Sequence, residues 1–441
     1  MAVTNANSAS SKNIAQEIIG QESISRAQLI VVAIAMILNM LDGFDITAMA
    51  FTANSIGEQL QIPADQLGIV FSVALAGMMI GAMFLAPYSD IIGRRKMTML
   101  CVSVIGISMI TTAFVTTFPQ LMVLRLITGL GVGAMLASLT ALASEFAPEK
   151  YRSLAVVGVT AGYPLGATVG GFIAAPIIPA YGWEAVFLTG GIATLAMLIA
   201  VYFFVPESLE FLAARRPKGA LEAFNTILVK LGRPQVESLP DLETSPGSEK
   251  ANVFGLLTKS RRSITLMLWL TFFFCFISLY FLISWIPQLV VNAGFTESQG
   301  VYAAVAMNGG GVIGIFTLGW FASRTSLSIL IGGFLSFAAV TMILFALTDG
   351  ISLLLIYLAV IGFTLQGGFT GLYAVAAKIY PTELRSTGVG WAIGLGRFGA
   401  VVGPYVGGVL IAGGVSMEIS FLIFAIPLMT SGWLAFFLRV K

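Results

Sequence analysis

The sequence predicts an all-α polytopic membrane protein, with twelve transmembrane helices arranged as two six-helix pseudo-repeats. Three observations lead there. The 441 residues are 57% hydrophobic and only 10% charged, with a mean hydropathy of +0.94, a balance foreign to soluble domains. Apolar runs of about 20 residues recur, the length a helix needs to cross a bilayer, and the alternating apolar/polar decamers of a β-barrel are missing from the sequence. The chain also matches itself at an offset of 233 residues.

The spans are read near 27–52, 66–89, 97–117, 119–143, 153–178, 184–205, 264–291, 298–322, 327–347, 351–377, 386–413 and 417–438. This gives a tail over 1–26, a first bundle over 27–205, a linker over 206–262 and a second bundle over 263–441. The N-terminal stretch is polar and has no signal-peptide h-region, so it reads as a disordered cytoplasmic tail. In the linker, Pro217 can start a helix, and Leu221, Phe224, Leu228 and Leu231 follow at helical spacing, which predicts short amphipathic helices along the inner membrane face. The segment SLPDLETSPGSEK reads as a flexible linker.

Charge placement predicts the orientation. Arg94, Arg95, Lys96, Lys150, Arg152, Arg215, Arg216, Lys218, Arg261, Arg262, Arg324, Lys378 and Arg385 fall in loops of one side, while Glu58, Asp65, Glu184, Glu297, Asp349 and Glu418 fall in loops of the other. The positive-inside rule then puts both termini in the cytoplasm of a bacterial cell, with the chain crossing its inner membrane. A net charge of +2 gives no electrostatic case for nucleic acid. Histidine is absent from the sequence, which removes His-based metal sites, catalysis and proton relays. No cofactor is expected. Cys101 and Cys275 lie within apolar runs and imply no disulfide framework.

The self-match pairs Gly77 and Gly81 with Gly310 and Gly314, Pro148 and Arg152 with Pro381 and Arg385, and Gly166 and Gly170 with Gly399 and Gly403. Parallel halves related by an axis along the membrane normal are the architecture of the major facilitator type. Gly158, Gly162, Gly166 and Gly170 recur every fourth residue, as do Gly399, Gly403 and Gly407, a spacing that lets helix backbones approach closely.

The segment Ala86-Pro-Tyr-Ser-Asp90-Ile91-Ile-Gly93-Arg94-Arg95-Lys96 resembles the signature loop of the major facilitator superfamily, with Ala86 in place of its glycine and Ile91 in place of its basic residue. The second-half equivalent, Gly319 to Arg324, lacks the acid. The resemblance implies an inner-side latch in which Asp90 accepts from neighbouring helix ends in the outward-open state. Within the superfamily the chain is similar to the aromatic acid:proton symporters over nearly its whole length. The marks are Asp42-Gly43-Phe44-Asp45, Arg125-Leu-Ile-Thr-Gly129-Leu-Gly131, Pro206-Glu207-Ser208 and Gly396-Arg397-Phe398-Gly399-Ala400. It departs at Ala134 to Ser138, where many members carry a proline- and asparagine-containing segment. That departure keeps an open-chain diacid such as cis,cis-muconate in view.

The halves differ in their embedded charges. At the 233 offset Asp42 and Asp45 face Cys275 and Ser278, Arg125 faces Leu358, Glu145 faces Lys378 and Pro164 faces Arg397. A carboxylate at membrane depth costs at least about 2.5 kcal/mol, so an embedded one is a functional hypothesis by default. Asp45 and Arg125 both fall roughly 9–10 Å below the outer surface at ~1.5 Å per residue, and can pair there. Asp42, Asp45 and Arg125 are therefore the expected proton-coupling group, the aspartates titrating as a unit. A structural salt bridge is the alternative, for which one aspartate would suffice. Arg397 falls near the midplane, where transporters bind substrate between repeats, and its planar fork matches a carboxylate. Asn308, Gln366, Phe369, Tyr373, Trp391 and Phe398 are the expected companions of Arg397, the aromatics stacking on a ring; packing roles and an Asp42–Arg397 pair are the alternatives. Asp90, Gly93, Arg94, Arg95, Glu145, Arg152 and Arg385 form the expected inner gate, with Glu145 reading as a salt-bridge partner for Arg152.

These readings converge on a proton-coupled importer of a benzoate- or hydroxybenzoate-type acid, acting by alternating access in a lipid bilayer and expected to work as a monomer. The alternatives are transport of a non-aromatic acid or diacid, and a non-transporting receptor. An enzyme is not expected, since no metal cluster or nucleophile–base pair is recognisable by spacing.

Overall fold

Polar caps start and stop the apolar runs. Ser25 Oγ accepts from the Gln28 N–H at 3.2 Å while Gln28 Oε1 accepts from the Ser25 N–H at 2.8 Å, so the first helix opens on a reciprocal capping box. Thr296 and Gln299 repeat the device in the second half. The computed structural model describes residues 24–240, 256–258, 261–322, 324–347, 351–380 and 382–438. They form α1 (Arg26–Leu60), α2 (Ala64–Ile80), α3 (Arg94–Thr112), α4 (Phe118–Phe146), α5 (Arg152–Tyr181) and α6 (Trp183–Phe204), then the short α7 (Leu209–Arg215) and α8 (Ala220–Lys230). The second half holds α9 (Arg262–Asn292), α10 (Glu297–Phe321), α11 (Leu327–Phe345), α12 (Ile351–Ile379), α13 (Thr382–Ala412) and α14 (Met417–Phe436).

Eleven of these helices are long and apolar enough to cross a membrane. The twelfth, α3, carries Arg94, Arg95 and Lys96 in its first turn, and these dilute an otherwise apolar run. The protein is an all-helical, multi-pass membrane protein. Beyond Ile80 the second span loses regularity, passing through a π turn at Gly81–Leu85 and a tight turn at Ala86–Tyr88. Pro87, which has no N–H to give the ladder, sits in that second turn.

Two observations revise the expected layout. First, α1 continues past the predicted end of its span to Leu60, where Gln61 caps it in the left-handed region at φ 54°. Its polar end is held by neighbours: Trp183 Nε1 donates to Gln59 Oε1 at 2.7 Å, and Gln59 donates to Glu184 at 3.1 Å. Asp45 therefore lies deeper inside its helix than the predicted boundary placed it. Second, α8 begins at Ala220 and buries Phe224, Ile227 and Leu228, a stripe shifted from the predicted one. The expected tail lies almost wholly outside the described residues, as does most of the segment read as a flexible linker.

Close backbone approach holds each half together. A Cβ on Gly166 would collide with the Met40 carbonyl of α1, and one on Gly403 with the Ile277 carbonyl of α9. Gly162 approaches the Met36 carbonyl of α1 in the same way and Gly170 makes room for the Phe44 ring, whereas Gly158, expected in that stripe, has no atom within 4 Å of its Cβ position.

The two halves meet on the face that bears the acidic loops. Ser55 Oγ donates to Glu297 at 2.5 Å, Gln288 to Asn54 at 2.9 Å, Ser298 to the Ala175 carbonyl at 3.0 Å and Ser72 to the Val401 carbonyl at 2.6 Å. Every cross-half hydrogen bond among the described residues lies on this side. Phe71 and Trp285 add an edge-on ring contact at 5.2 Å, and α2 meets α13 where Gly68 approaches Pro404 and Gly408. The halves are thus joined on the acidic face, with no matching bond on the basic face among the described residues.

Candidate functional site

Asp42 and Asp45 share one face of α1, three residues apart. Gly43 between them lets α5 come close: a Cβ there would overlap the Tyr163 carbonyl. The structure joins Asp45 to Arg125 of α4, whose Nη1 donates to Oδ1 at 3.1 Å. Nη2 of the same guanidinium donates to Thr112 Oγ1 at 3.0 Å, and the group lies 5.1 Å from the centre of the Phe187 ring. Both partners of the pair are buried, so each needs the other. Asp42 is 1% exposed, yet neither of its carboxylate oxygens has a hydrogen-bond partner. One aspartate is neutralised by an arginine, and the other is left open.

Arg397 stands on α13 at 9% exposure, with no carboxylate within ion-pair distance among the described residues. The alternative pairing with Asp42 is not made. Tyr163, Tyr280 and Tyr373 lie close enough to feel the Arg397 charge. Rings gather beside it. Phe369 sits edge-on to Phe276 at 5.0 Å and to Tyr373 at 5.2 Å, and Tyr373 to Phe272 at 5.6 Å. Gly396 packs on Phe276 and Phe272, which brings the Arg397 backbone against this cluster. The site thus offers a guanidinium beside an aromatic wall built by α9 and α12.

Two expected companions of Arg397 fall elsewhere. Trp391 is 40% exposed and Phe398 50%. With 3.6 residues per turn they share a stripe with the exposed Val402, Tyr405 and Val409, on the side of α13 away from the glycines that pack on α9. Trp391 stacks with Trp269 at 6.1 Å, and Phe398 shows no ring partner among the described residues. Adjacent residues on a helix point about 100° apart, so Phe398 turns away when Arg397 turns inward. Asn308 and Gln366 meet each other: Gln366 Nε2 donates to Asn308 Oδ1 at 3.3 Å, and Asn308 Nδ2 to the Ala304 carbonyl at 2.9 Å.

On the basic face, Arg94 gathers three carboxylates. It pairs with Glu145 at the end of α4, with Glu210 of α7 at 3.4 Å and with Asp90 at 3.7 Å. Glu145 was expected to meet Arg152, but Arg152 instead donates through Nε to the Ser144 carbonyl at 3.2 Å. The guanidinium of Arg94, one residue past the Gly93 bend, reaches the buried acid instead. Gly93 has φ 102°, a region that strongly favours glycine, and its missing Cβ leaves room for the Glu207 carboxylate. Glu207 accepts from the Arg95 and Ser208 N–H groups, both at 3.0 Å. Arg95 Nη2 donates to the Tyr202 carbonyl at 2.5 Å, and Arg215 to the Asp90 carbonyl at 3.0 Å. These contacts all stay within the first half and its linker. The Arg385 side chain lies outside the described residues.

Sequence reasoning missed Tyr163, Phe272, Phe276 and Tyr280 in the central region and Glu210 beside Arg94. Phe272, Phe276 and Tyr280 recur every fourth residue on α9, but that run is rich in phenylalanine throughout and the spacing alone did not separate lining from packing. Cys101 and Cys275 are both buried and unbridged.

The Major Facilitator Superfamily model matches residues 33–346 and 309–441. The 4-hydroxybenzoate transporter PcaK of Acinetobacter baylyi is 33% identical over 424 residues, covering 94% of this chain and 91% of its own. A gallate transporter of Pseudomonas putida is 32% identical, over 93% of this chain and 91% of its own. Among solved structures, a D-xylose-proton symporter superposes with a TM-score of 0.73 at 16% identity, covering 92% of this chain and 97% of that one; that likeness is one of fold.

Proposed function

The chain belongs to the Major Facilitator Superfamily, and from that premise we propose that it is a proton-coupled importer of a small aromatic monocarboxylate of the benzoate type. It is a transporter and not an enzyme. The observation that carries the substrate class is Arg397, a buried guanidinium with no resident carboxylate partner, set beside Phe276, Phe369 and Tyr373. A fixed cation that lacks an anion is satisfied by one the substrate brings, and the wall next to it suits a ring. Relatives that carry 4-hydroxybenzoate and gallate support the same class.

The proton belongs to the first half. Asp42 is the carboxylate without a counter-ion, while Asp45 is held by Arg125. The basic face is read as cytoplasmic in a bacterial inner membrane, so closure of the acidic face describes a state that releases cargo inward. Residues 27–205 and 263–441 rock as two units about the central site. The diacid alternative needs a second cation. Arg125, the other intramembrane guanidinium, is occupied by Asp45 and Thr112, which favours a monocarboxylate.

The test is uptake into proteoliposomes under an imposed pH gradient, with labelled benzoate, 4-hydroxybenzoate, gallate and muconate. Acid outside is expected to drive accumulation of the aromatic acids, and Asp42→Asn to abolish that accumulation. Uptake of every acid without any response to the gradient overturns the symport reading; uptake of muconate alone overturns the aromatic one.

A further inference from the structure

A buried hydroxyl lies within range of both charged sites. The phenolic oxygen of Tyr163 on α5 is buried and has no hydrogen-bond partner, as do both carboxylate oxygens of Asp42. Gly43, next to Asp42 in sequence, packs on the Tyr163 carbonyl, so the backbones that carry the two side chains meet across the α1–α5 seam. The Tyr163 side chain lies within range of the charges of Arg397, Asp42 and Asp45. The internal repeat explains this placement: Tyr163 and Pro164 occupy the positions that Gly396 and Arg397 occupy in the second half. The hydroxyl and the guanidinium therefore rise from pseudo-symmetric helices at corresponding depths.

We propose that Tyr163 couples the proton site to the anion site by offering its single O–H to two competing acceptors. This rests on reading Asp42 as the proton site and Arg397 as the anion site. Ionised Asp42 is the stronger acceptor and takes the hydroxyl, because a buried carboxylate needs a donor. When Asp42 gains a proton its demand for that donor falls. The hydroxyl then turns to the substrate carboxylate held by Arg397. No covalent bond changes at Tyr163, whose phenolic proton stays in place; the O–H bond that forms and breaks is on Asp42, with the proton that crosses the membrane. Proton and substrate thereby favour each other's binding, and the linkage is reciprocal.

Tyr373 of α12 lies near Arg397 and Tyr280. Asp45 is tied to Arg125 of α4, Cys101 of α3 lies near Asp42, and Tyr280 of α9 lies near Tyr163 and Arg397. Glu184 of α6 and Glu297 of α10 sit in the first turns of their helices, at the acidic face.

The experiment measures the Kd of benzoate, ionised at both pH values, for the purified full-length protein at pH 6 and pH 8. Wild type is expected to bind about tenfold tighter at pH 6, a coupling of ordinary size. Tyr163→Phe is expected to bind weakly and equally at both. Asp42→Asn, which mimics the protonated acid, is expected to bind at pH 8 as tightly as wild type does at pH 6. Tyr163→Phe with the wild-type pH response overturns the proposal. So does Asp42→Asn that has lost the pH response yet binds at pH 6 and pH 8 as weakly as wild type does at pH 8, a result that needs no change at Tyr163. Asp42→Asn that keeps the wild-type pH response instead overturns the reading of Asp42 as the proton site, a separate failure.

Discussion

Arg125 reaches across from α4 to close a buried ion pair with Asp45 at 3.1 Å, while Asp42, one turn away on the same face, has no partner. Removing one member of a buried pair strands the other, at a cost of about 3–5 kcal/mol. Asp45→Asn alone is therefore expected to lower the thermal stability of the detergent-solubilised protein markedly. Asp45→Asn combined with Arg125→Gln removes both charges and is expected to recover part of the loss. Thermal unfolding of the two single variants and the double variant measures the coupling; additive losses would mean that the pair is not an energetic unit.

Arg397→Lys keeps the charge and discards the planar fork. A guanidinium can give a carboxylate two parallel hydrogen bonds, and an ammonium cannot match that geometry. Losing one charge-assisted bond of about 1.5–3 kcal/mol weakens affinity by about tenfold to a hundredfold. Calorimetric titration with benzoate reads this directly. Affinity within about twofold of wild type would remove Arg397 from the binding site.

Much of this site was legible in the residues themselves. The depths expected for Asp45 and Arg125 pointed to their contact, which forms although α1 runs on to Leu60, because opposite charges in low dielectric attract strongly. Repeat asymmetry singled out Arg397, since its counterpart Pro164 carries no charge. Side-chain direction was harder to read. Phe398 is adjacent to Arg397 in sequence but turns to the exposed stripe, because helix rotation, not proximity along the chain, decides which face a residue joins. Glu145 chose Arg94 over Arg152 because the bend at Gly93 redirects the start of α3, and sequence separation could not encode that turn. Tyr163 escaped notice for a related reason: aromatic residues in membrane spans are abundant, and its buried, unpartnered hydroxyl beside the Asp42-bearing helix shows only in the fold.

Closure of the halves on the acidic face predicts access from the basic one. Gly390 lies seven residues before Arg397 on the same face of α13, and the position of its Cβ has no atom within 4 Å. Gly390→Cys is expected to react with a membrane-impermeant maleimide in inside-out vesicles and to react slowly in right-side-out ones. Cys101 and Cys275 are buried and contribute little background. Saturating benzoate is expected to slow the labelling. Faster reaction from the opposite side would reverse the orientation given by the basic loops.

Gly93 joins the latch loop to the linker. At φ 102° and ψ 143° it occupies backbone space that other residues enter at a cost of about 1–3 kcal/mol. A Cβ there also meets the Glu207 carboxylate, which accepts from the Arg95 N–H. Gly93→Ala is thus expected to lower the thermal midpoint and to loosen α7, which is held to this loop by Arg94–Glu210 and by Arg215 on the Asp90 carbonyl. Limited trypsin digestion at Arg215 and Arg216 reads the loosening as faster cleavage. Glu207→Ala removes the side-chain clash but not the backbone strain, so adding it to Gly93→Ala is expected to leave stability low. Full recovery in that double variant would show that the clash, and not the φ of Gly93, sets the cost.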